Sequence, residues 1–262
     1  MTLSKLQVLT NEPVNSRYWH MIVDASALRE EARPGQFFNI RCSETYIPLL
    51  RRPFSLFRID KRSRTLEFLY LVKGAGTERL ARTKPGEMLD VFGPLGKGFD
   101  LRSGGGAILL LARGVGVATL SALAQKAAER GIACITILSA KTRGDVLAEE
   151  MLRSYGAEVH IVTDDDGSSD VANVRAQMED LIEKHRIEAA YTCGSRRLSR
   201  LLQEVAAEKR LFAEIALEEN MSCAMGVCFA CVCEIRDSGG AFRTVRICKE
   251  GPVFPLEQVV LA

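Results

Sequence analysis

Little in the chain marks a secreted, membrane-embedded or nucleic-acid-binding protein. Only three of its 262 residues are histidine, and His20, His160 and His185 share no metal-ligand spacing, which argues against a histidine-based metal site. Neither sign of charge dominates: 35 Lys and Arg stand against 33 Asp and Glu, for a formal net charge of +2. That balance removes the electrostatic reason to expect DNA, RNA or an anionic membrane as partner. The apolar run AILLLA at 107–112 is far shorter than the ~20 residues that span a bilayer. The opening residues MTLSKLQVLTNEPV contain no apolar h-region, so no secretory signal is expected and the cytoplasm is the expected compartment. No repeat, low-complexity linker or nucleophile–base constellation is present. The adjacent carboxylates Glu149–Glu150 and Glu218–Glu219 suit solvent, because neighbours on a helix point apart.

What is present is the composition of a packed protein, 47% hydrophobic and 26% charged. At this length folding buries roughly 70–75% of the extended chain's surface, so no disulfide scaffold is needed. Yet there are eight cysteines, five of them between 223 and 248. In a reducing compartment such clustering points to metal or redox chemistry rather than a disulfide knot.

Three textures follow one another. Residues 1–100 hold short strand-like stretches between Pro-Gly breakers (PGQFFNI at 34–40, LEFLYLV at 66–72, PGEMLDVFGPLG at 85–96) and predict a small antiparallel β-barrel. Residues 101–217 alternate apolar strands with helices. The expected strands are 107–112, 133–138, 159–163, 189–193 and 213–217, with helices ending at Glu129 and Tyr155 and spanning 170–185 and 196–209. That rhythm predicts a doubly wound parallel sheet. Residues 218–262 carry the cysteines and a hairpin signal at Ser238-Gly239-Gly240. They are too few for a core of their own, and a metal centre would supply what burial cannot.

Cys223, Cys228 and Cys231 read C-x4-C-x2-C, with sixteen residues between Cys231 and Cys248. Four thiolates at this spacing match a plant-type [2Fe–2S] cluster. The small residues between them let backbone N–H groups approach the sulfurs. Structural zinc is the competing reading, although zinc sites usually pair two short knuckles and only one is present. Cys233 is a spare thiol. Upstream, Arg51-Arg52-Pro53-Phe54-Ser55 offers a guanidinium for a diphosphate, a ring for an isoalloxazine and a hydroxyl for a ring nitrogen, although an ordinary strand start reads the same way. In LYLVKGAGT (69–77), Gly74 and Gly76 permit close backbone approach and Thr77 offers a hydroxyl beside a phosphate.

Taken in order, RPFS, LYLVKGAGT, GPLGKGF (93–99), the turn after the first sheet strand, TCG (192–194) and CAMGVCFACVCEI through RICKEGPVF (223–254) resemble the ferredoxin–NADP reductase superfamily. More narrowly they resemble the electron-transfer subunits of two-protein, B-type dihydroorotate dehydrogenases. The resemblance implies FAD on the first domain, at Arg52, Pro53, Phe54, Ser55, Leu69, Tyr70, Leu71, Gly76 and Thr77. It implies NAD(P)H on the second, and [2Fe–2S] ligands at Cys223, Cys228, Cys231 and Cys248. The implied partner is a flavin-containing dehydrogenase subunit that makes orotate. A reductase subunit of a hydrogenase or ferredoxin-linked complex, or a relay subunit with an inactive nucleotide pocket, are the alternatives.

The sequence departs from the family at the nucleotide turn. A Gly-Gly-Gly-x-Gly-x-x-Pro pattern is replaced by Ala112-Arg113-Gly114-Val115-Gly116-Val117-Ala118-Thr119. Gly114 and Gly116 still allow a tight turn for a pyrophosphate, while Arg113 either binds phosphate or obstructs it. Cys193 either lies near the nicotinamide or is a small buried thiol. Lys141 and Arg143 either meet a 2′-phosphate or are solvated, and Asp164–Asp166 reads as an Asx-type turn or a ribose contact.

Overall fold

The computed structural model describes residues 2–102, 104–237 and 239–261; Ser238 of the expected hairpin lies outside the described residues. The first half contains β1 (Thr2–Pro13), β2 (Tyr18–Asp24), β3 (Phe37–Ile40), β4 (Arg52–Ser55), β5 (Arg58–Asp60), β6 (Thr65–Leu71), the short helix α1 (Ala75–Leu80) and β7 (Met88–Leu95). The strands form one antiparallel sheet in the order β4-β3-β7-β1-β2-β6-β5. It curls until Phe54 of β4 meets Tyr70 of β6, with ring centroids 5.5 Å apart. Alternate residues of β1 and β2, namely Leu6, Val8, Met21 and Val23, point inward onto Phe38 and Phe68. Strand β6 escapes this alternation and is buried on both faces, since Leu66, Phe68 and Tyr70 fill the curl while Leu69 packs outward against the second sheet.

The second unit runs β8 (Ile108–Arg113), α2 (Val117–Glu129), β9 (Cys134–Ala140), α3 (Glu149–Ser154), β10 (Glu158–Thr163), α4 (Val171–His185), β11 (Ala189–Cys193), α5 (Arg196–Lys209) and β12 (Phe212–Ala216). Its strands pair in parallel in the order β10-β9-β8-β11-β12. The unbroken apolar run of β8 follows from its central place. Leu109 and Leu111 face a core shared with Met178 and Leu202, while Ile108, Leu110 and Ala112 face another shared with Leu120 and Leu123. Helix α2 stops where Gly131 turns left-handed (φ +68) and the Ile132 N–H returns to the Ala127 carbonyl at 2.9 Å. Crossovers leave β8 and β11 toward opposite sides, which opens a crevice at their carboxyl ends.

The remaining chain forms the hairpin β13 (Val232–Arg236) and β14 (Phe242–Arg246), the single turn α6 (Ile247–Glu250) and β15 (Val253–Pro255). Strand β15 adds antiparallel to the edge of β12, and Cys231, Ile247 and Cys248 enter the core beneath α4 and α5. The cysteine-bearing segment thus borrows its core from the parallel sheet. The fold is the expected antiparallel barrel-type sheet, doubly wound parallel sheet and C-terminal cysteine-bearing segment. Among the described residues no helix is long and apolar enough to cross a membrane.

Candidate functional site

The cysteine loop is arranged around sulfur acceptors. Left-handed residues at Ala224, Gly226 and Phe229 wrap the backbone around Cys223, whose Sγ accepts N–H bonds from Met225 (3.5 Å), Val227 (3.3 Å) and Cys228 (3.4 Å). Burial pushes this thiol up, but the backbone donors and the Cys228 thiol outweigh it and bring the group down to about 6. Cys231 Sγ accepts from the Cys248 N–H at 3.4 Å. Burial, and then the bond to Cys231, raise the Cys248 thiol to about 12. The Cys228 thiol thus bears on Cys223, and the Cys231 thiol on Cys248. Among the described residues no three or more His, Cys, Asp or Glu side chains form a single-ion site. Four cysteines at this spacing, with backbone N–H donors already on the Cys223 sulfur, fit a [2Fe–2S] cluster. Cys233, on β13, is half-buried against the core that holds Cys231, its thiol raised to about 11 chiefly by burial.

On the barrel, the Arg52 side chain reaches from β4 to the first turn of α1. A Cβ on Gly76 would sit 2.9 Å from Arg52 Nε, so any larger residue there must push the guanidinium aside. Among the described residues no carboxylate pairs with Arg52; its Nη1 donates to the carbonyls of Leu50 (2.6 Å) and Arg51 (3.2 Å). A guanidinium beside a helix start suits a diphosphate. Two of the expected side chains are engaged within the barrel unit itself. The Thr77 hydroxyl accepts from the N–H groups of Lys73 (3.0 Å) and Gly74 (3.3 Å) and donates to the Gly74 carbonyl (3.0 Å), bonds that close the turn. Phe54 is buried edge-on against Tyr70, whose hydroxyl donates to Asn11 at 2.8 Å. These rings give the site a wall and no free hydroxyl. Pro53 and Ser55 are half-buried on β4, Leu71 is half-buried at the end of β6, and Leu69 lies in the core between the sheets.

The nucleotide turn is tight and already occupied by side chains. Gly116 abuts β11 so closely that a Cβ would lie 2.6 Å from the Cys193 carbonyl, and Gly114 (φ +53) faces the Tyr18 hydroxyl of the barrel. Arg113 reaches across the end of β9. Its Nη1 donates to Ser139 Oγ (2.7 Å) and Asp164 Oδ1 (3.1 Å), and its Nη2 to Asp164 Oδ2 (2.5 Å). Arg113 and then the Ser169 hydroxyl hold the Asp164 carboxyl down at about 2. The Arg143 guanidinium goes to Glu149 at 2.7 Å.

Cys193, at the end of β11, donates its thiol to Glu218 Oε1 at 3.8 Å. Burial raises this thiol well above its ordinary range. The protein crowded around Glu218 raises its carboxyl too, against the opposing effects of Cys193 and the barrel's Lys73. Glu218 and Glu219 were expected on a helix, facing water. They lie instead in a segment outside helix and strand, where Glu218 meets Cys193 and Glu219 meets Arg196 at 2.9 Å.

Residues 218–260 match the family model for the iron-sulfur cluster binding domain of dihydroorotate dehydrogenase B. A dihydroorotate dehydrogenase B (NAD(+)) electron transfer subunit from Bacillus caldolyticus is 35% identical over 98% of both chains. Another from Geobacillus kaustophilus is 34% identical, again over 98% of both. The chain belongs to the family of dihydroorotate dehydrogenase B electron transfer subunits. A solved NADH-dependent reduced ferredoxin–NADP oxidoreductase has the same fold, with a TM-score of 0.80 at 24% identity over 98% of this chain and 90% of that one.

For a member of this electron transfer subunit family, the motif residues were readable in advance and the side chains that answer them were not. Asp164 was read only as a turn or ribose residue, and Glu218 was set aside. Arg246, which touches the cysteine loop, was quoted within RICKEGPVF but given no role. Local spacing carries no signal for partners brought from other elements.

Proposed function

We propose that this chain passes electrons among NADH, FAD and a [2Fe–2S] cluster and exchanges them with a dihydroorotate dehydrogenase catalytic subunit in the cytoplasm. The clustered cysteines carry this reading, with Cys228 exposed, Cys223 half-buried and Cys231 and Cys248 buried. Cys223, Cys228, Cys231 and Cys248 would hold the cluster, with the N–H groups of Met225, Val227 and Cys228 supporting the sulfur of Cys223. Arg52, with Gly76 and the start of α1, would hold the FAD diphosphate, while Pro53, Phe54, Ser55 and Leu69–Leu71 wall the flavin. Gly114 and Gly116 would take the nucleotide pyrophosphate, and Cys193 with Glu218 would flank the nicotinamide and hold a proton there. When bound, FAD couples two-electron hydride chemistry to single-electron transfer, and the cluster carries electrons singly. Residues 1–100, 101–217 and 218–262 divide these tasks.

NADH is favoured over NADPH because Arg143 is engaged by Glu149, leaving one fewer cation for a 2′-phosphate. Val227 (73% exposed), Phe229 (60% exposed) and Cys228 lie open around the cysteine loop, the surface a partner needs to approach a cluster. Family membership supports a dihydroorotate dehydrogenase catalytic subunit there, over a hydrogenase or ferredoxin-linked partner. One observation favours a second reading: the Arg113 cation beside the nucleotide turn is already paired with Asp164, as it would be in a relay subunit supplied with electrons by its partner alone.

Anaerobic purification with iron and FAD analysis, followed by stopped-flow mixing with NADH and with NADPH, tests the proposal. Bleaching of the flavin by NADH within seconds is the expected result. A cofactor-loaded chain that neither nucleotide bleaches supports the relay. A chain that takes up neither iron nor flavin defeats both readings.

A further inference from the structure

The three segments that carry the cysteines meet at one side chain outside the ligand set. Arg246, the last residue of β14, is paired with Val232, which directly follows Cys231. Its Nη1 donates to the Gly226 carbonyl at 2.8 Å, between Cys223 and Cys228. Its guanidinium carbon lies 5.0 Å from the centroid of Phe229, between Cys228 and Cys231. Its Nη2 and Nε reach Glu250 Oε1 (2.5 Å) and Oε2 (3.1 Å), two residues beyond Cys248, and its backbone N–H donates to the same carboxylate at 2.7 Å. The loop lies tightly on this turn. Gly226 (φ +84) leaves only 3.1 Å between a hypothetical Cβ and the Lys249 Cβ, and the Ile247 N–H donates to the Cys231 carbonyl at 2.8 Å.

We infer that Arg246 is a positioning residue that clamps the cysteine loop to the Cys248 turn, and that its charge, opposed by Glu250, tunes the potential of the cluster held there. The inference rests on the [2Fe–2S] reading above. A planar fork bonded on two sides and stacked on a ring is held in one orientation, which lysine cannot reproduce. Reducing a cluster adds negative charge to it, so a fixed cation favours reduction and a fixed carboxylate opposes it. The Arg246 and Glu250 side chains are 29% and 32% exposed, so water screens them only in part.

The test is an EPR-monitored redox titration of the full chain, reconstituted with iron, sulfide and FAD. Arg246→Gln is expected to move the cluster midpoint to more negative potential and Glu250→Gln to more positive potential. Arg246→Lys keeps the charge and the potential but is expected to lose iron to a chelator about tenfold faster, the usual scale for a lost supporting contact around a metal. A plain surface ion pair would leave the potential unmoved in both neutralising variants. Shifts of the same sign, or none, with the cluster signal intact would overturn the inference. If Arg246→Gln fails to fold, Glu250→Gln decides alone, a positive shift supporting the inference and an unchanged midpoint refuting it. A wild-type chain that gives no [2Fe–2S] signal overturns the cluster assignment itself, a different outcome.

Discussion

Arg52 in the curled sheet and Arg113 in the parallel sheet each stand beside a glycine-bearing turn suited to phosphate, and among the described residues only Arg113 meets a carboxylate. Arg52 rests on Gly76 and gives its donors to chain carbonyls, bonds that a doubly charged diphosphate can replace at a gain. Arg113 already holds both oxygens of Asp164 and the hydroxyl of Ser139, so an anion arriving there must compete with a formed bidentate pair. Two similar local sequences thus yield a receptive cation and a satisfied one, and the difference lies in what β10 brings to the end of β8.

The strongest way to break this contrast is Arg52→Ala. Removing a charged hydrogen-bonding partner of the flavin diphosphate is expected to weaken FAD retention about 100-fold, roughly 2.7 kcal/mol. Flavin content after gel filtration measures it, and undiminished flavin would remove Arg52 from the site. Gly76→Ala probes the same turn more gently. The new methyl must displace the guanidinium, so a loss of about tenfold in FAD affinity is expected with little change in folding. Gly114→Ala should do the reverse, costing about 1 kcal/mol of stability through its left-handed backbone while flavin content stays unchanged.

Asp164→Ala would make Arg113 resemble Arg52. If the pair obstructs the crevice, NADH is expected to bind up to about tenfold tighter, the worth of one freed charged donor; titration calorimetry with unchanged affinity would separate Arg113 from the pyrophosphate. The smallest effect is on stability. Asp164 titrates at about 2 when folded, below its unfolded value of about 3.9. Its contribution is therefore complete above pH ~4 and disappears as pH falls toward 2. With the carboxylate 40% exposed, screening holds that contribution below about 1 kcal/mol. The melting temperatures of wild type and Asp164→Ala should differ slightly at pH 7 and converge near pH 2.

The elements of the parallel sheet were legible because central strands buried on both faces lose alternation, as Ile108–Arg113 does, and because helices such as Val117–Glu129 end on a glycine. The clustering of the cysteines and their C-x4-C-x2-C spacing were legible directly. The turn-closing bonds of Thr77 were not legible, because a hydroxyl three residues after Gly74 can cap its own turn as readily as it meets a ligand, and sequence does not separate the two. The partner of Glu218 was not legible because adjacent carboxylates read as solvated helix positions, whereas the segment after β12 is neither helix nor strand and brings Glu218 to Cys193.

By itself, the sequence determined the class of chemistry and the run of strands and helices, since both rest on short-range properties: thiol spacing, apolar periodicity and glycine's backbone freedom. Only the tertiary structure decided which charges answer one another. Arg113 finds Asp164 across 51 residues, Cys193 finds Glu218 across 25, and Arg246 finds the Gly226 carbonyl across 20. Such pairs form where strand ends and loops converge in space, and an electrostatic contact falls off with distance through the fold, whatever the separation along the chain.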